Sequence, residues 1–523
     1  FEGRRLMSEI MGAGGWGSYN PAFIKQATNS VIAWGVAHIV PHGIFTNRNL
    51  VGNVWTPDWY TENPFWPWLD QWADFSRRAS YINSHGRLVP DVLLLNPMDS
   101  VWALAPPAVF DPTTPGDLFN TDQWYGERVS QINQVYSEAI NTLTANRVEF
   151  LVADRYYLRT LTTQEGTLIR DDFTFRAVVL PALEVLPRDV AQLLVDFAAS
   201  GGQVYALGDL PRGSVEAGWQ DAKFTRLMTE LAAQPTFQRL GNLEEAIAAG
   251  APELSPQVTF EEGDFELLVR HIRHDGRDLF WLVNNSANWR QARLHFRASE
   301  GAASKWDCET GLVTALGSLE DPTGSSVALT FRPYEAFWLA FDFAQPAQPV
   351  QPLPLQAEAL LTLAGPWTVQ YNPADQPELQ FPGSPPADFL TGVVKPLASW
   401  PTWGLDRFSG RLDYLTSFEL ASLPEGPVTL DLGLVFHSAE VWLNGQPAGA
   451  RLWPPHRLEV TGLLREGRNS LRVRVGNLEN NSYGDGREGG LMGTVRLNVG
   501  TNDNQAGAPP APPKGDQVTL QDA

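Results

Sequence analysis

The chain has 523 residues, a net charge of −21 and 11% aromatic residues, with 19 Trp. The length suggests three or four domains, and the acidic balance argues against a nucleic-acid partner, whose phosphates need a basic surface. A lone cysteine, Cys308, excludes an intramolecular disulfide framework and a Cys-based zinc site, and no apolar run of about 18 residues is present to span a membrane as a helix.

Leu6–Met11 and Val36–Val40 read as short apolar strands. Between them, Phe23, Ile24, Ala27, Val31 and Trp34 recur at helical spacing and share one face. Asn20 before Pro21 marks the start of that helix, and Gly35 marks its end. Strand, helix, strand is the repeat of a parallel β/α sheet or barrel. Barrel chemistry sits at the carboxyl ends of strands. That makes Glu9 the first candidate for a catalytic carboxylate, with Ser8, His38 and His42 also at or near strand ends. The competing reading of Glu9 is a solvated or salt-bridged residue, and of His38 a satisfied core histidine. Context favours function: Gly12, Gly14, Gly15 and Gly17 follow Glu9, interleaved with Trp16 and Tyr19. Glycines let a substrate approach the backbone, and aromatic rings stack on sugar faces.

The loop from Gly43 to Phe65 is rich in polar and aromatic residues, among them Trp55, Asp58, Trp59 and Glu62. A loop of that length is usually functional, so Trp55 and Trp59 are candidates for a sugar-contacting wall; ordinary packing is the alternative. Pro67 starts a helix with Leu69, Trp72, Ala73, Phe75, Ala79 and Ile82 on one face, ended by Gly86. Strands at Val89–Leu95, Val148–Ala153, Ala177–Pro181 and Gln203–Leu207 then alternate with helices at Glu127–Ala145 and Val190–Ala199, as in a doubly wound sheet. Asp154 and Asp209, at strand ends, read as loop or capping residues. From about Gln257 the pattern is all-β, with a hairpin turning at Asp275-Gly276. A Pro-rich linker follows Phe343. A last β region from Leu361 to Gly500 contains a second hairpin turn, Asn444-Gly445. Trp403, Trp453, His456 and Tyr483 are its candidate ligand contacts, with a structural role favoured for each. Calcium would find oxygens in Glu479, Asn480, Asn481 and Asp485, but their spacing matches no EF-hand, and a polar surface loop is the favoured reading.

The runs SEIMGAGGW and GVAHIVPHG, the stretch from Thr61 to Pro97, and FSGRLDYLTSFEL, VWLNG and GGLMGTVRL further on resemble, in order, glycoside hydrolase family 106, the inverting α-L-rhamnosidases. The resemblance implies that Glu9 is one of two catalytic carboxylates, with Trp16, His38, His42, Trp55 and Trp59 around the sugar. It implies a multidomain α/β plus all-β chain. Residues 1–87 would be the last strands and helices of a (β/α)8 barrel, and 88–250 an amidotransferase-like doubly wound α/β domain. Residues 251–343 would be a small β-sandwich and 344–360 the linker. Residues 361–500 would be a jelly-roll, galactose-binding-like domain of the glycoside hydrolase family 2 type, and 501–523 a disordered tail. The amidotransferase nucleophilic Cys has no counterpart here, so that domain reads as structural. A barrel opening on its last strands implies the C-terminal part of a longer protein, inactive alone; an extracellular or periplasmic setting is the expectation. The partner is a carbohydrate substrate, with no nucleic acid or membrane. The alternatives are a retaining β-glycosidase of the family 2 type and a non-catalytic carbohydrate-binding module. Asp58 and Glu62 are fallback second carboxylates.

Overall fold

The computed structural model describes residues 6–12, 19–43, 59, 61–105, 126–349, 358–377, 385, 387–483 and 487–500. The chain divides into two compact units: Phe1–Arg87 with Phe260–Leu267 and His274–Ala523, and Leu88–Thr259 with Leu268–Arg273.

In the first unit, strand β1 (Leu6–Ile10), helix α1 (Pro21–Ala33) and strand β2 (Val36–Pro41) form the expected crossover, with β1 and β2 parallel. Asn20 Oδ1 accepts the Phe23 N–H at 2.8 Å, which caps the helix, and Pro21 occupies its first turn. The expected apolar face needs correcting. Phe23 and Trp34 are exposed, and Lys25, Thr28 and Asn29 are fully buried with Ile24, Val31 and Ile32. The reason is polar pairing. Thr28 Oγ1 accepts Trp72 Nε1–H, Asn29 Nδ2 donates to the Tyr334 carbonyl, and the Asn29 carbonyl accepts Trp281 Nε1–H. Lys25, Thr28 and Asn29 each meet a partner, so a face that looks polar in sequence is the packed one. Helix α2 (Asp70–His85) follows a 3-10 turn at Trp66–Trp68 and buries Trp72, Phe75, Ser76, Ala79 and Ile82. Ala73, expected on that face, is exposed.

An antiparallel sandwich follows. Arg277–Val283 and Ala302–Trp306 flank Ala336–Asp342, and Arg290–Arg297 pairs with Gly324–Phe331. Asp275 and Gly276 both have positive φ, 48° and 70°, as a type I′ turn requires. A second sandwich from Glu358 to Val499 has antiparallel sheets of six and four strands around one apolar core. Its Asn444-Gly445 turn also has both φ positive, 55° and 79°.

Charges are buried where α1 meets the first sandwich. Lys25 Nζ pairs with Glu309 and sits over the rings of Phe75 and Trp453, at 3.8 and 4.4 Å. Arg332 bonds Glu335 at 2.8 Å and Asp307 at 3.2 Å, and Lys305 bonds Glu335 at 2.7 Å. Three cations thus face three carboxylates. Burial pushes the Glu309 carboxyl up, but Lys25 and Arg332 outweigh it and hold it down at about 2.

In the second unit, five parallel strands lie in the order Phe237–Leu240, Gln203–Leu207, Ala177–Leu180, Val92–Leu95, Phe150–Ala153. Separate apolar clusters pack on its two faces. The first strand is shorter than the run Val89–Leu95 because Pro90 has no N–H for a ladder. A three-stranded antiparallel excursion, Thr162–Phe175, went unread in the sequence. Asp154 caps a short helix by accepting the Tyr157 N–H, and Asp209 pairs with Arg239 in solvent.

Candidate functional site

At the carboxyl end of β1, Glu9 lies opposite Val40 and Ile10 opposite Pro41. The chain beyond β2 stays in register for one more residue: His42 N–H donates to the Ile10 carbonyl at 3.0 Å. That bond brings His42 beside Glu9, and Nδ1 lies 2.8 Å from Glu9 Oε1. The carboxylate can only accept, so Nδ1 carries the proton of this bond. The Glu9 side chain is 58% exposed and that of His42 31%.

The backbone after Glu9 is unusual. Met11 is buried with φ 59°, the left-handed region that side chains avoid. It turns the chain sharply at the strand end. Gly12 follows, and a Cβ there would stand 3.0 Å from His42 Cγ and 3.2 Å from Nδ1. The missing side chain makes room for the imidazole. One carboxylate oxygen is thus held by a donor, and the other, Oε2, remains to take a proton from water or to face an electrophilic carbon.

Of the described residues expected around Glu9, the structure brings only His42 into contact with it. His38 is exposed on β2, opposite Met7. Trp59 is 2% exposed and tilted against Trp72 at 4.9 Å, so its ring packs in the core and offers no open face to a sugar. Trp16, Trp55 and Asp58 lie outside the described residues, and Glu62 is buried. The pairing of His42 with Glu9 was missed in sequence, although the parallel register of strands of five and six residues could have placed them side by side.

The stretch read as a polar surface loop is a buried 3-10 turn, Glu479–Tyr483, in which Glu479, Asn480 and Asn481 are inaccessible. Its amides replace missing backbone pairs. Asn481 Nδ2 donates to the Arg487 carbonyl at 2.7 Å, and Asn477 Nδ2 to that of Phe408 at 2.6 Å. Asp485 lies outside the described residues, among which no group of three His, Cys, Asp or Glu could hold a metal ion. Trp453 and His456 are buried, and Trp403 packs against Tyr414 at 6.2 Å.

Residues 122–319 match the glycoside hydrolase family 106 profile, alpha-L-rhamnosidase. The matched stretch lies between the motifs that first carried the resemblance. A rhamnosidase from Novosphingobium sp. PP1Y shares the fold: TM-score 0.68 at 20% identity, over 94% of this chain and 47% of that one. A catalytic mutant of a GH42 beta-galactosidase from G. stearothermophilus superposes at TM-score 0.41 and 11% identity, over 62% of this chain and 51% of its own. Among curated proteins, a putative beta-glucuronidase of Formosa agariphila is 34% identical over 127 residues, 23% of this chain and 10% of that protein. The chain therefore spans about half the length of the rhamnosidase structure and a tenth of the curated relative.

Proposed function

We propose that this chain serves the hydrolysis of an α-L-rhamnoside by inversion, with Glu9 as the base that activates water. The observation carrying the proposal is a donor-held carboxylate at a parallel strand end, in a chain whose residues 122–319 match an alpha-L-rhamnosidase profile. Inversion needs a second carboxylic acid about 6.5–9.5 Å away, to protonate the leaving oxygen. In this proposal the acid comes from further barrel strands beside β1 and β2. Leu6, Val36 and Ile39 are only half-buried in the two-stranded pair, which leaves apolar surface for such strands. The expected division into barrel end, α/β domain, sandwich and sugar-binding domain belongs to the same proposal.

The second reading is a carbohydrate-binding module without catalysis. Turnover of an aryl α-L-rhamnoside by the intact protein separates the two, and proton NMR of the first-formed sugar separates inversion from retention. An α-anomer as first product would replace the water-activating base by a nucleophile.

A further inference from the structure

We propose that His42 is a positioning residue for Glu9, seated by the absent side chain of Gly12, and not a sugar contact. This rests on the proposed role of Glu9 and deepens it.

Three observations converge. The His42 Nδ1 proton is committed to Glu9 Oε1 at 2.8 Å. The His42 backbone is fixed by its bond to the Ile10 carbonyl, one residue beyond Glu9 on the same strand. Gly12 lies against the imidazole so closely that any Cβ would press on Cγ, Cβ and Nδ1 at 3.0–3.2 Å. Glu9 itself is more exposed than buried, so packing does not fix its rotamer. A long exposed carboxylate samples several rotamers. The imidazole selects the one in which Oε1 is held and Oε2 is the basic oxygen. General-base work requires that selection, because misplacing a catalytic group by about 1 Å costs about 100-fold.

The test uses the intact protein and an aryl α-L-rhamnoside. His42→Ala should lower kcat by about 10- to 100-fold and leave KM within about twofold. Asn places Nδ2 where His carries Nδ1, so His42→Asn should recover most of the lost kcat, whereas His42→Gln, whose amide lies one bond further out, should not. Gly12 does not have a positive φ, so Gly12→Ala leaves the backbone unstrained; it should lower kcat in the wild-type background and do nothing further in His42→Ala. A rise in KM with kcat unchanged would make His42 a sugar contact and overturn the proposal. So would equal kcat in His42→Asn and His42→Ala. Glu9→Gln, run in parallel, separates the two claims. If it is inactive while His42→Ala and Gly12→Ala turn over normally, the positioning role alone fails. If Glu9→Gln itself turns over normally, the base assignment and the positioning role fail together.

Discussion

Replacing Lys25 by Met should destabilise the first unit by about 3 kcal/mol, although Met retains the apolar stem against Phe75 and Trp453. Removing one member of a buried ion pair costs about 3–5 kcal/mol, because the partner is left charged and unpaired. Here the lower end applies. The Glu309 side chain is 22% exposed, so water relieves part of the loss. Against burial, Lys25 and Arg332 hold the Glu309 carboxyl below its ordinary range, whereas burial pushes the Lys25 ammonium down, so desolvation of Lys25 offsets part of the pair's gain. The double variant Lys25→Met, Glu309→Gln leaves Lys305 and Arg332 facing Asp307 and Glu335, again in balance, and should recover about 2 kcal/mol of the loss. Urea denaturation followed by Trp fluorescence measures both. The pH dependence has a fixed sign. A carboxyl depressed in the folded state stabilises fully above 4.5, and the contribution is lost as pH falls through about 2, so the gap between wild type and Lys25→Met should close over that window. Single and double variants of equal stability would refute this account of the cluster.

His456 donates to the His437 carbonyl at 2.9 Å, and burial pushes its imidazole down to about 4. Folding then favours the neutral ring, so stability is full above 6.5 and falls towards pH 4; His456→Gln should remove up to about 3 kcal/mol of that acid sensitivity, read from melting temperature against pH. Gly490 has φ 116°, and a Cβ there would stand 2.7 Å from Trp400 Cδ1 and Nε1, whose N–H bonds the Tyr414 hydroxyl. Gly490→Ala should cost about 3 kcal/mol from backbone strain and overpacking. Gly445→Ala, at φ 79° with nothing within 4 Å, should cost about 1 kcal/mol from strain alone. Equal losses in the two variants would remove the Trp400 contact as the cause.

Local chemistry was legible in the sequence and long-range pairing was not. Asn20-Pro21 located a helix start, and Asp275-Gly276 and Asn444-Gly445 located turns, because cap and turn geometry depend on residues within four positions. The helix Glu127–Ala145 and the strand Gln203–Leu207 have the expected limits. Lys25 could not be read as a core residue, because the carboxylate that holds it, Glu309, lies 284 positions away. Trp59 reads in sequence as either a sugar-contacting ring or packing beneath the next helix, and only its contact with Trp72 of that helix decides for packing. At the site, Glu9 was legible from its strand end and the glycines behind it. His42 was legible as a residue type, and its bond to Glu9 emerges only from the parallel register.

The central claim is that Glu9 is a catalytic carboxylate, and turnover of an aryl α-L-rhamnoside by Glu9→Gln in the intact protein tests it most directly. Gln preserves shape and can still bond near His42, but it cannot take a proton from water. Turnover should fall by about 100-fold or more, the size of a general acid–base contribution, with substrate affinity and melting temperature little changed. Near-normal turnover, with or without a lower melting temperature, would contradict the claim and leave Glu9 a structural partner of His42.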